Sequence, residues 1–491
     1  MVKAEFDSFF ESRTVTVSER NAIECSLNLS EENAEKVLGV TGKVFQSTAD
    51  VEDGFLVYGG LAAFNVVFLA EEITRVEAGT KFSFKTPMPE GECVFKGVEY
   101  SLYGLKVRND GGMLYATAEL VAEVTFIVTT ERKFLVGADA LVKRATMTQY
   151  AEKPFSSYFD AEENFRLKKI KRVIFSDANA YIKGARAGAD VITVEGEVFF
   201  SVLALPFSEN GDIIKEVRKI PFSYEVECLG ADENCKVSAC VKIEKILARV
   251  ALDEQNNDCL LTAKINLGVY GSAFMATTTE YVDDCYSTKE ELLLTRANTK
   301  VRTFSCHVST TERLSERLNC TVPEYSRLIK VFGETVELSD FAADGGELKV
   351  DGVISGKALF DGNENETLSR PFDLPFSLKI PIDEKRVENV RVVADELVCK
   401  LRSGRLEAET TLYITFDEYR DEEVCVIRDV VSGEEKKPIT SAVSVYIGCA
   451  GDDEWIVTKR LGVPVETIVS LNPDLTFPLK GGERLIVFRK L

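Results

Sequence analysis

The chain has 491 residues, a formal net charge of −21 and 45% hydrophobic residues. This apolar fraction is enough for several packed cores, and the length predicts three or four domains. A chain this acidic is repelled by nucleic-acid phosphates and by anionic membrane surfaces. We therefore expect no nucleic acid among its partners and no direct insertion into a membrane.

The sequence also predicts where the protein works and that it needs no cofactor. No apolar run is long enough to span a bilayer, and the start MVKAEFDSFFESRTV lacks the pattern of a secretion signal, so we expect a cytoplasmic protein. The twelve cysteines form no C-x-x-C pair. Zinc sites need such close pairs, and disulfides are rare in the cytosol, so we expect reduced cysteines and no bound metal.

Three strand-rich segments repeat one pattern along the chain. FLVYGGLAAFNVVF (55–68), ITVEGEVFFSVLAL (192–205) and LKVDGVISGKALF (348–360) align on the motif Val-x-Gly, with the glycines at Gly59, Gly196 and Gly352. A Phe-Ser pair follows each glycine at a similar distance, with the phenylalanines at Phe82, Phe222 and Phe376. A glycine inside a strand indicates a β-bulge or the close approach of another strand.

A third marker is a leucine in an alternating strand that follows a polar turn. It occurs at Leu114, Leu261 and Leu406, after RNDGG, DEQNND and RSGR. Alternation of apolar and polar residues, as in RLEAETTLYITF, buries one face of a strand and leaves the other in water. The sequence therefore predicts a mainly β protein, with three tandem antiparallel domains built as sandwiches or partly open barrels.

Breaks in this pattern set the predicted domain limits. They are residues 1–155 (a degenerate first copy), 156–322 and 323–440, followed by a small α+β domain at 441–491. The junction STTERLSERLNCTVPEY (309–325) is compatible with a short helix, and RDVVSGEEKKPITSA (428–442) has the charge, glycine and proline of a linker.

The side chains of acid–base catalysis are scarce. His307 is the single histidine, and it follows Cys306 directly. Neighbouring residues on a strand point to opposite faces, so these two are poorly placed to act as a nucleophile and its base. No phosphate-binding G-x-x-x-x-G-K-S/T loop occurs. We therefore predict a protein that is not an enzyme, without catalytic residues or cofactors.

The C-terminal segment predicts a strand, two short helices and a second strand. An aspartate, Asp452 or Asp453, can cap the first helix, whose apolar face includes Trp455 and Val457. A glycine then ends this helix, a proline opens the second, and an Asn-Pro-Asp turn stops it before a closing strand, all in GVPVETIVSLNPDLTFPLKGGERLIVF (462–488). The predicted order is βααβ.

This segment resembles a LysM domain, on Tyr446, Gly451, Asp452, Trp455, Val457, Asn472, Pro473, Gly482, Leu485 and Val487. The resemblance implies a groove that binds N-acetylglucosamine polymers, lined by Gly451, Asp452, Asp453, Leu471, Asn472, Pro473 and Asp474. It also implies a core formed by Trp455, Val457, Ile468 and Leu485. Three consecutive acids at the mouth of the groove, Asp452 to Glu454, would suit a basic protein surface at least as well as a sugar.

The repeated segments ITVEGEV…IPFSYEVE and LKVDGVI…LPFSLKIP resemble the SPOCS domain of endospore-forming bacteria, in which such domains precede a C-terminal LysM domain. The resemblance implies a morphogenetic scaffold of the spore coat or cortex. It would work on the forespore surface in the mother-cell cytosol. Through its tandem β domains and its C-terminal LysM domain it would bind a spore-coat morphogenetic protein, a coat-basement ATPase. The alternative is a cell-wall protein that binds peptidoglycan glycan through the LysM domain.

Overall fold

The computed structural model describes residues 2–29, 34–110, 112–168, 170–207, 212–253, 258–323, 326–362, 366–436 and 443–488. Most of these residues lie in antiparallel strands, and the two helices among them are short. The prediction of a mainly β protein is confirmed.

Strands of similar length and order form three modules, followed by a terminal unit. The first module contains β1 (Ala4–Asn28), β2 (Lys36–Glu52), β3 (Phe55–Leu69), β4 (Ile73–Pro87), β5 (Glu92–Asp110) and β6 (Met113–Ala138). The second contains β7 (Leu141–Lys168), β8 (Ile170–Gly188), β9 (Val191–Pro206), β10 (Ile214–Glu227), β11 (Lys236–Asp253) and β12 (Asp258–Tyr286). The third contains β13 (Glu290–Arg317), β14 (Arg327–Asp344), β15 (Glu347–Asp361), β16 (Thr367–Pro381), β17 (Arg386–Ala394), β18 (Val398–Arg402) and β19 (Arg405–Glu435).

Each module pairs its strands in the same way. The second to fourth strands form a meander with the third in the centre, giving the orders β2-β3-β4, β8-β9-β10 and β14-β15-β16. The first strand pairs with the last, and a strand that precedes the last adds on its other side, giving β1-β6-β5, β7-β12-β11 and β13-β19-β17; in the third module β18 also pairs with β19. The two sheets of each module share one apolar core. Each module is therefore a β-sandwich.

The glycine and phenylalanine markers are partners across the meander. Gly196 lies opposite Phe222, and Gly352 lies opposite Phe376. A Cβ atom on either glycine would lie 2.5 Å from the Cζ of that phenylalanine, so the ring occupies the space of the missing side chain. The register on the other side of each glycine is shifted, as the predicted bulge requires.

In the first module the equivalent glycine is Gly60, one residue after the predicted Gly59. Gly60 lies opposite Phe82 and beside the register shift of β2. The residue two positions earlier is Tyr58, which is fully buried like Val194 and Val350 of the other copies. A shift of one residue turns a strand side chain to the opposite face, and the Gly59-Gly60 pair conceals that shift in the sequence.

The three modules pack against one another around shared apolar clusters. Leu135, Val282 and Ile427 occupy equivalent positions of β6, β12 and β19, and all three are fully buried in one cluster. A second cluster joins Val67, Leu203 and Leu359, from the central strands of the three meanders. Burying each such side chain contributes about 1.5–3 kcal/mol. The modules therefore form one body with approximate threefold symmetry.

Two features of the predicted organisation do not agree with the strands of the structure. The short helix considered at 309–325 is wrong over its described first part, because β13 continues to Arg317 and pairs with β19 without interruption from Cys306. Ladder pairing overrides the helix propensity of ERLSER. The predicted limit between residues 155 and 156 lies inside β7, which pairs with β12 along its whole length.

The terminal unit has the predicted βααβ order: β20 (Val443–Ile447), α1 (Glu454–Leu461), α2 (Val465–Leu471) and β21 (Arg484–Phe488). The two strands pair antiparallel. Among the described residues, neither helix has the length and apolar character required to cross a bilayer.

Candidate functional site

Local sequence signals fold the terminal unit much as predicted. Asp453 caps α1, because its carboxylate accepts a hydrogen bond from the Ile456 N–H at 2.7 Å. Gly462 ends the helix with φ of 63°, a left-handed conformation that glycine adopts without strain. Pro464 stands just before α2, where its missing N–H costs nothing.

Asp452, predicted at the groove mouth, is instead buried inside the terminal unit. Its carboxylate accepts hydrogen bonds from the Tyr446 hydroxyl at 2.6 Å, the Cys449 N–H at 2.9 Å and the Arg460 guanidinium at 3.0 Å. These donors, the Tyr446 hydroxyl foremost, lower the pKa of Asp452. Asp452 therefore holds the loop before α1 in shape and has few acceptor positions left for a ligand.

Asn472 is likewise occupied within the fold. Its side-chain amide donates to the Ile468 carbonyl at 2.9 Å and to the Ile486 carbonyl at 3.0 Å, and its oxygen accepts from the Ile486 N–H at 2.9 Å. It thus fastens the end of α2 to β21. The neighbouring Pro473 and Asp474 are exposed, and Leu471 is half-buried.

Of the two loops predicted to line the groove, the first is bonded to a residue that lies beyond the second. The loop at Gly451 is bonded to Leu479, since the Gly451 N–H donates to the Leu479 carbonyl at 2.8 Å and the Leu479 N–H donates to the Asp452 carbonyl at 2.9 Å. The first loop is therefore closed by the later part of the α2–β21 connection, at Leu479, and not by a hydrogen bond from residues 471–474.

Three of the four predicted core residues lie in the core, and the fourth does not. Val457, Ile468 and Leu485 are fully buried in one cluster with Val463, Leu479 and Val487. Trp455 lies outside that cluster. Its ring meets Tyr286 of the second module edge-on at 5.1 Å, and its indole N–H donates to Asp284 at 2.8 Å.

Asp284 is the centre of the contact between the terminal unit and the second module. Both of its oxygens accept from the Lys459 ammonium, at 2.8 and 2.7 Å, and Arg296 adds a bond at 2.8 Å. A register shift in β12 immediately before Asp284 sets its direction. Burial disfavours its charge, but the bonds from Lys459 and Trp455 outweigh that effect and lower the pKa of Asp284.

Two further contacts complete the docking. The Tyr286 hydroxyl donates to the Val463 carbonyl at 2.9 Å, in a buried position, and Lys143 lies 3.4 Å from the carboxylate of Asp453. The terminal unit is thus held through α1 and the turn after it. Sequence reasoning missed Asp284, Tyr286 and Lys143. Each lies more than 150 positions from its partner in the terminal unit, and the residues around it in the sequence do not indicate the contact.

The sheet of the terminal unit presents an apolar face to solvent. Its inward residues Tyr446, Leu485 and Val487 pack on the helices. The outward residues are 41% to 63% exposed and form one continuous patch of Val443, Val445, Ile447, Ile486 and Phe488. Cross-strand pairing sets Val445 directly opposite Ile486. Such a cluster of exposed large apolar side chains is typical of an interaction surface.

His307 and Cys306 point to opposite faces of β13. The His307 ring lies 2.7 Å from Asp417, whereas the Cys306 sulfur lies 3.9 Å from Glu418, the next residue of the facing strand. Asp417 also accepts from Ser238 of the second module at 2.6 Å. Burial, followed by the charge of Glu418, raises the pKa of Cys306. This arrangement joins two modules and does not activate a thiol.

Residues 169–251 match the family model described as SipL, SPOCS domain, a region that spans β8 to β11 of the second module. No curated protein and no solved structure matches the chain. The chain therefore contains a SPOCS domain, which indicates a protein related to sporulation.

Proposed function

We propose that the chain is a non-enzymatic scaffold of spore-envelope assembly that binds a partner protein through its terminal unit, a LysM domain. The partner in this proposal is a spore-coat morphogenetic protein, the coat-basement ATPase implied by the SPOCS resemblance. The location is the forespore surface in the mother-cell cytosol. The SPOCS match supports the sporulation setting.

The observation that carries the proposal is the apolar outer face of β20 and β21. Val445 and Ile486 stand at its centre, on the side of the unit away from the inward-packed residues. The docking contacts use α1 and the turn after it, namely Trp455, Lys459 and Val463, so they leave this face open. A fixed terminal unit with an open apolar face suits a partner that contributes apolar side chains of its own.

Glycan binding, the alternative, has less support from the geometry. Asp452 and Asn472, the polar residues expected in the groove, are bonded inside the unit. Asp453 caps α1 and faces Lys143 of the second module. A sugar would have to compete with these internal partners for the same atoms.

The test is a pull-down of the purified ATPase by the full chain carrying Val445→Glu and Ile486→Glu. Two buried charges at an apolar contact would weaken binding by at least tenfold. The matched control is Leu293→Glu with Val431→Glu, another exposed apolar cross-strand pair, on β13 and β19. We expect this control to bind as the wild type does.

A parallel arm measures sedimentation of the same chains with insoluble peptidoglycan. Retained ATPase binding by the Val445/Ile486 variant would refute the proposed face. Glycan binding by the wild type, without affinity for the ATPase, would favour the cell-wall alternative.

A further inference from the structure

The two-stranded sheet of the terminal unit has two outer edges, and the edge of β21 is closed. The Ile486 N–H donates to the side-chain oxygen of Asn472 at 2.9 Å, and the Ile486 carbonyl accepts from the Asn472 amide at 3.0 Å. The asparagine therefore takes the position that the backbone of a further strand would occupy. Covering an edge in this way prevents unwanted strand pairing.

The same two bonds determine where the backbone groups of β20 point. In an antiparallel pair, directly opposite residues either exchange both backbone hydrogen bonds or exchange none. Ile486 directs both of its groups away from β20, and Val445 lies opposite it. The N–H and carbonyl of Val445 therefore point to the outer edge of β20. The Gly448 N–H donates to the Glu483 carbonyl at 2.8 Å, so the alternation turns the groups of Ile447 to the outer edge as well.

This outer edge of β20 is open. Among the described residues, β20 pairs with β21 alone. Its sequence VSVYI contains neither a proline nor a charged residue, the two residue types that most often protect an edge strand. The docking contacts of the terminal unit use α1 and the turn after it, and the Val445 side chain is 59% exposed. The edge is thus a template for one more strand.

The residues that direct their backbone groups to this edge also carry the apolar side chains of the outer face. They are Val443, Val445 and Ile447, all of them exposed. A strand added beside β20 would place its own alternate side chains next to these three. One extended segment would therefore bond to the free donors and acceptors of the edge and cover apolar surface at the same time.

We infer that the partner binds by β-strand addition to β20. The bound segment is extended and uncharged, its alternate side chains are apolar, and it matches the five residues of β20 in length. This mode of binding rests on the proposed function, because it specifies how the same terminal unit holds its partner. A second copy of the chain is a poorer occupant, since pairing β20 with β20 would bring together two bodies that each carry a net charge of −21.

The test measures the affinity of the purified ATPase for full chains carrying Val445→Pro or Val445→Ala. Proline keeps an apolar side chain but removes the outward N–H, whereas alanine keeps the N–H and loses apolar surface. We expect Val445→Pro to weaken binding by about tenfold or more and Val445→Ala to weaken it less. Contact through the side-chain face alone would give the opposite order. Proline is tolerated at an edge position whose N–H has no partner, and tryptophan emission and melting temperature verify that both variants are folded.

Amide hydrogen exchange provides a second measurement, on the wild-type chain. With the ATPase bound, the N–H groups of Val445 and Ile447 should exchange about tenfold more slowly or less, because they gain hydrogen bonds. Those of Ser444 and Tyr446 face β21 and should change little. A uniform change along β20, or no change, would overturn strand addition.

The remaining outcomes separate strand addition from the proposed function. If Val445→Glu with Ile486→Glu abolished ATPase binding while Val445→Pro bound at least as well as Val445→Ala, the apolar face would stand and strand addition would be wrong. If the glutamate pair left binding unchanged, the proposed function would fail, and strand addition with it. Sedimentation of the chain without the ATPase tests the second copy: a dimer that Val445→Pro dissociates would assign the edge to self-association and overturn the inference.

Discussion

Asp284→Asn is expected to weaken the docking of the terminal unit on the second module. Asparagine keeps the shape of the side chain but has no charge. It offers one acceptor oxygen to the donors that bond to two oxygens of Asp284 in the wild type. The Asp284 side chain is 15% exposed, whereas those of Lys459 and Arg296 are 41% and 36% exposed. The bond from Trp455 to the carboxylate therefore contributes about 1.5–3 kcal/mol, and the partly exposed ion pairs contribute less than 1 kcal/mol each.

We expect the docking free energy to fall by about 2–3 kcal/mol, which is about 30- to 150-fold in the docking equilibrium. Trp455 is the sole tryptophan, so its fluorescence reports this contact without interference. In the variant, the tryptophan emission should shift to the red and acrylamide quenching should increase as urea is added. Both changes should occur at a lower urea concentration than the loss of the β-sheet circular dichroism signal.

The matched control is Asp283→Asn, which removes the same charge one residue away. The carboxylate of Asp283 makes none of the docking contacts, and only its backbone carbonyl accepts a bond from Arg296. This control should follow the wild-type curve. If both variants gave the same emission and quenching curves as the wild type, Asp284 would not hold the terminal unit, and the docking described above would be refuted.

Other predictions concern the junction, the repeat and acid sensitivity. Leu135→Ala should lower the free energy of unfolding by about 2–5 kcal/mol in urea, because it opens a cavity where three modules meet, whereas the exposed Leu293→Ala should change it by less than about 0.5 kcal/mol. Gly196→Ala should cost about 1–3 kcal/mol, since the new methyl group overlaps both the Tyr181 backbone carbonyl oxygen and the Phe222 ring. Gly97→Ala, with no neighbour within 4 Å of a Cβ, should not destabilise, and equal melting temperatures for the two variants would contradict this account of the repeat. The pKa of Asp284 is lower in the folded protein than its ordinary value of 3.8. Its contribution to docking is therefore complete above pH 3.8 and is lost as the pH falls through the lower, folded value. An acid titration of the tryptophan emission should show this transition in the wild type and not in Asp284→Asn.

Much of the strand architecture could be predicted from the sequence. The alternating pattern around Leu261 and Leu406 is a local property of each strand, and it correctly gives one buried and one exposed face. The glycine markers predicted bulges that the structure contains, apart from the one-residue shift at Gly60. The caps at Asp453 and Gly462 were also visible, since a helix end is determined by the few residues around it.

The candidate site was less accessible to sequence reasoning. Asp452 and Asn472 were taken as groove residues from a resemblance, but a motif position does not tell whether its polar atoms face solvent or the fold. Trp455 was taken as core because tryptophan is usually buried. Its partners are Asp284 and Tyr286, which become neighbours only after the second module and the terminal unit have folded and met.

The sequence by itself determined the mainly β architecture in three repeated modules, the bulges at the repeated glycines and the βααβ terminal unit. Each depends on side-chain alternation, a turn or a cap, and these act over a few residues. Only the tertiary structure decided that the modules close around shared clusters and that the terminal unit is docked on Asp284. Those features join residues more than 100 positions apart, and they depend on which faces remain apolar or charged after each module has buried its own core.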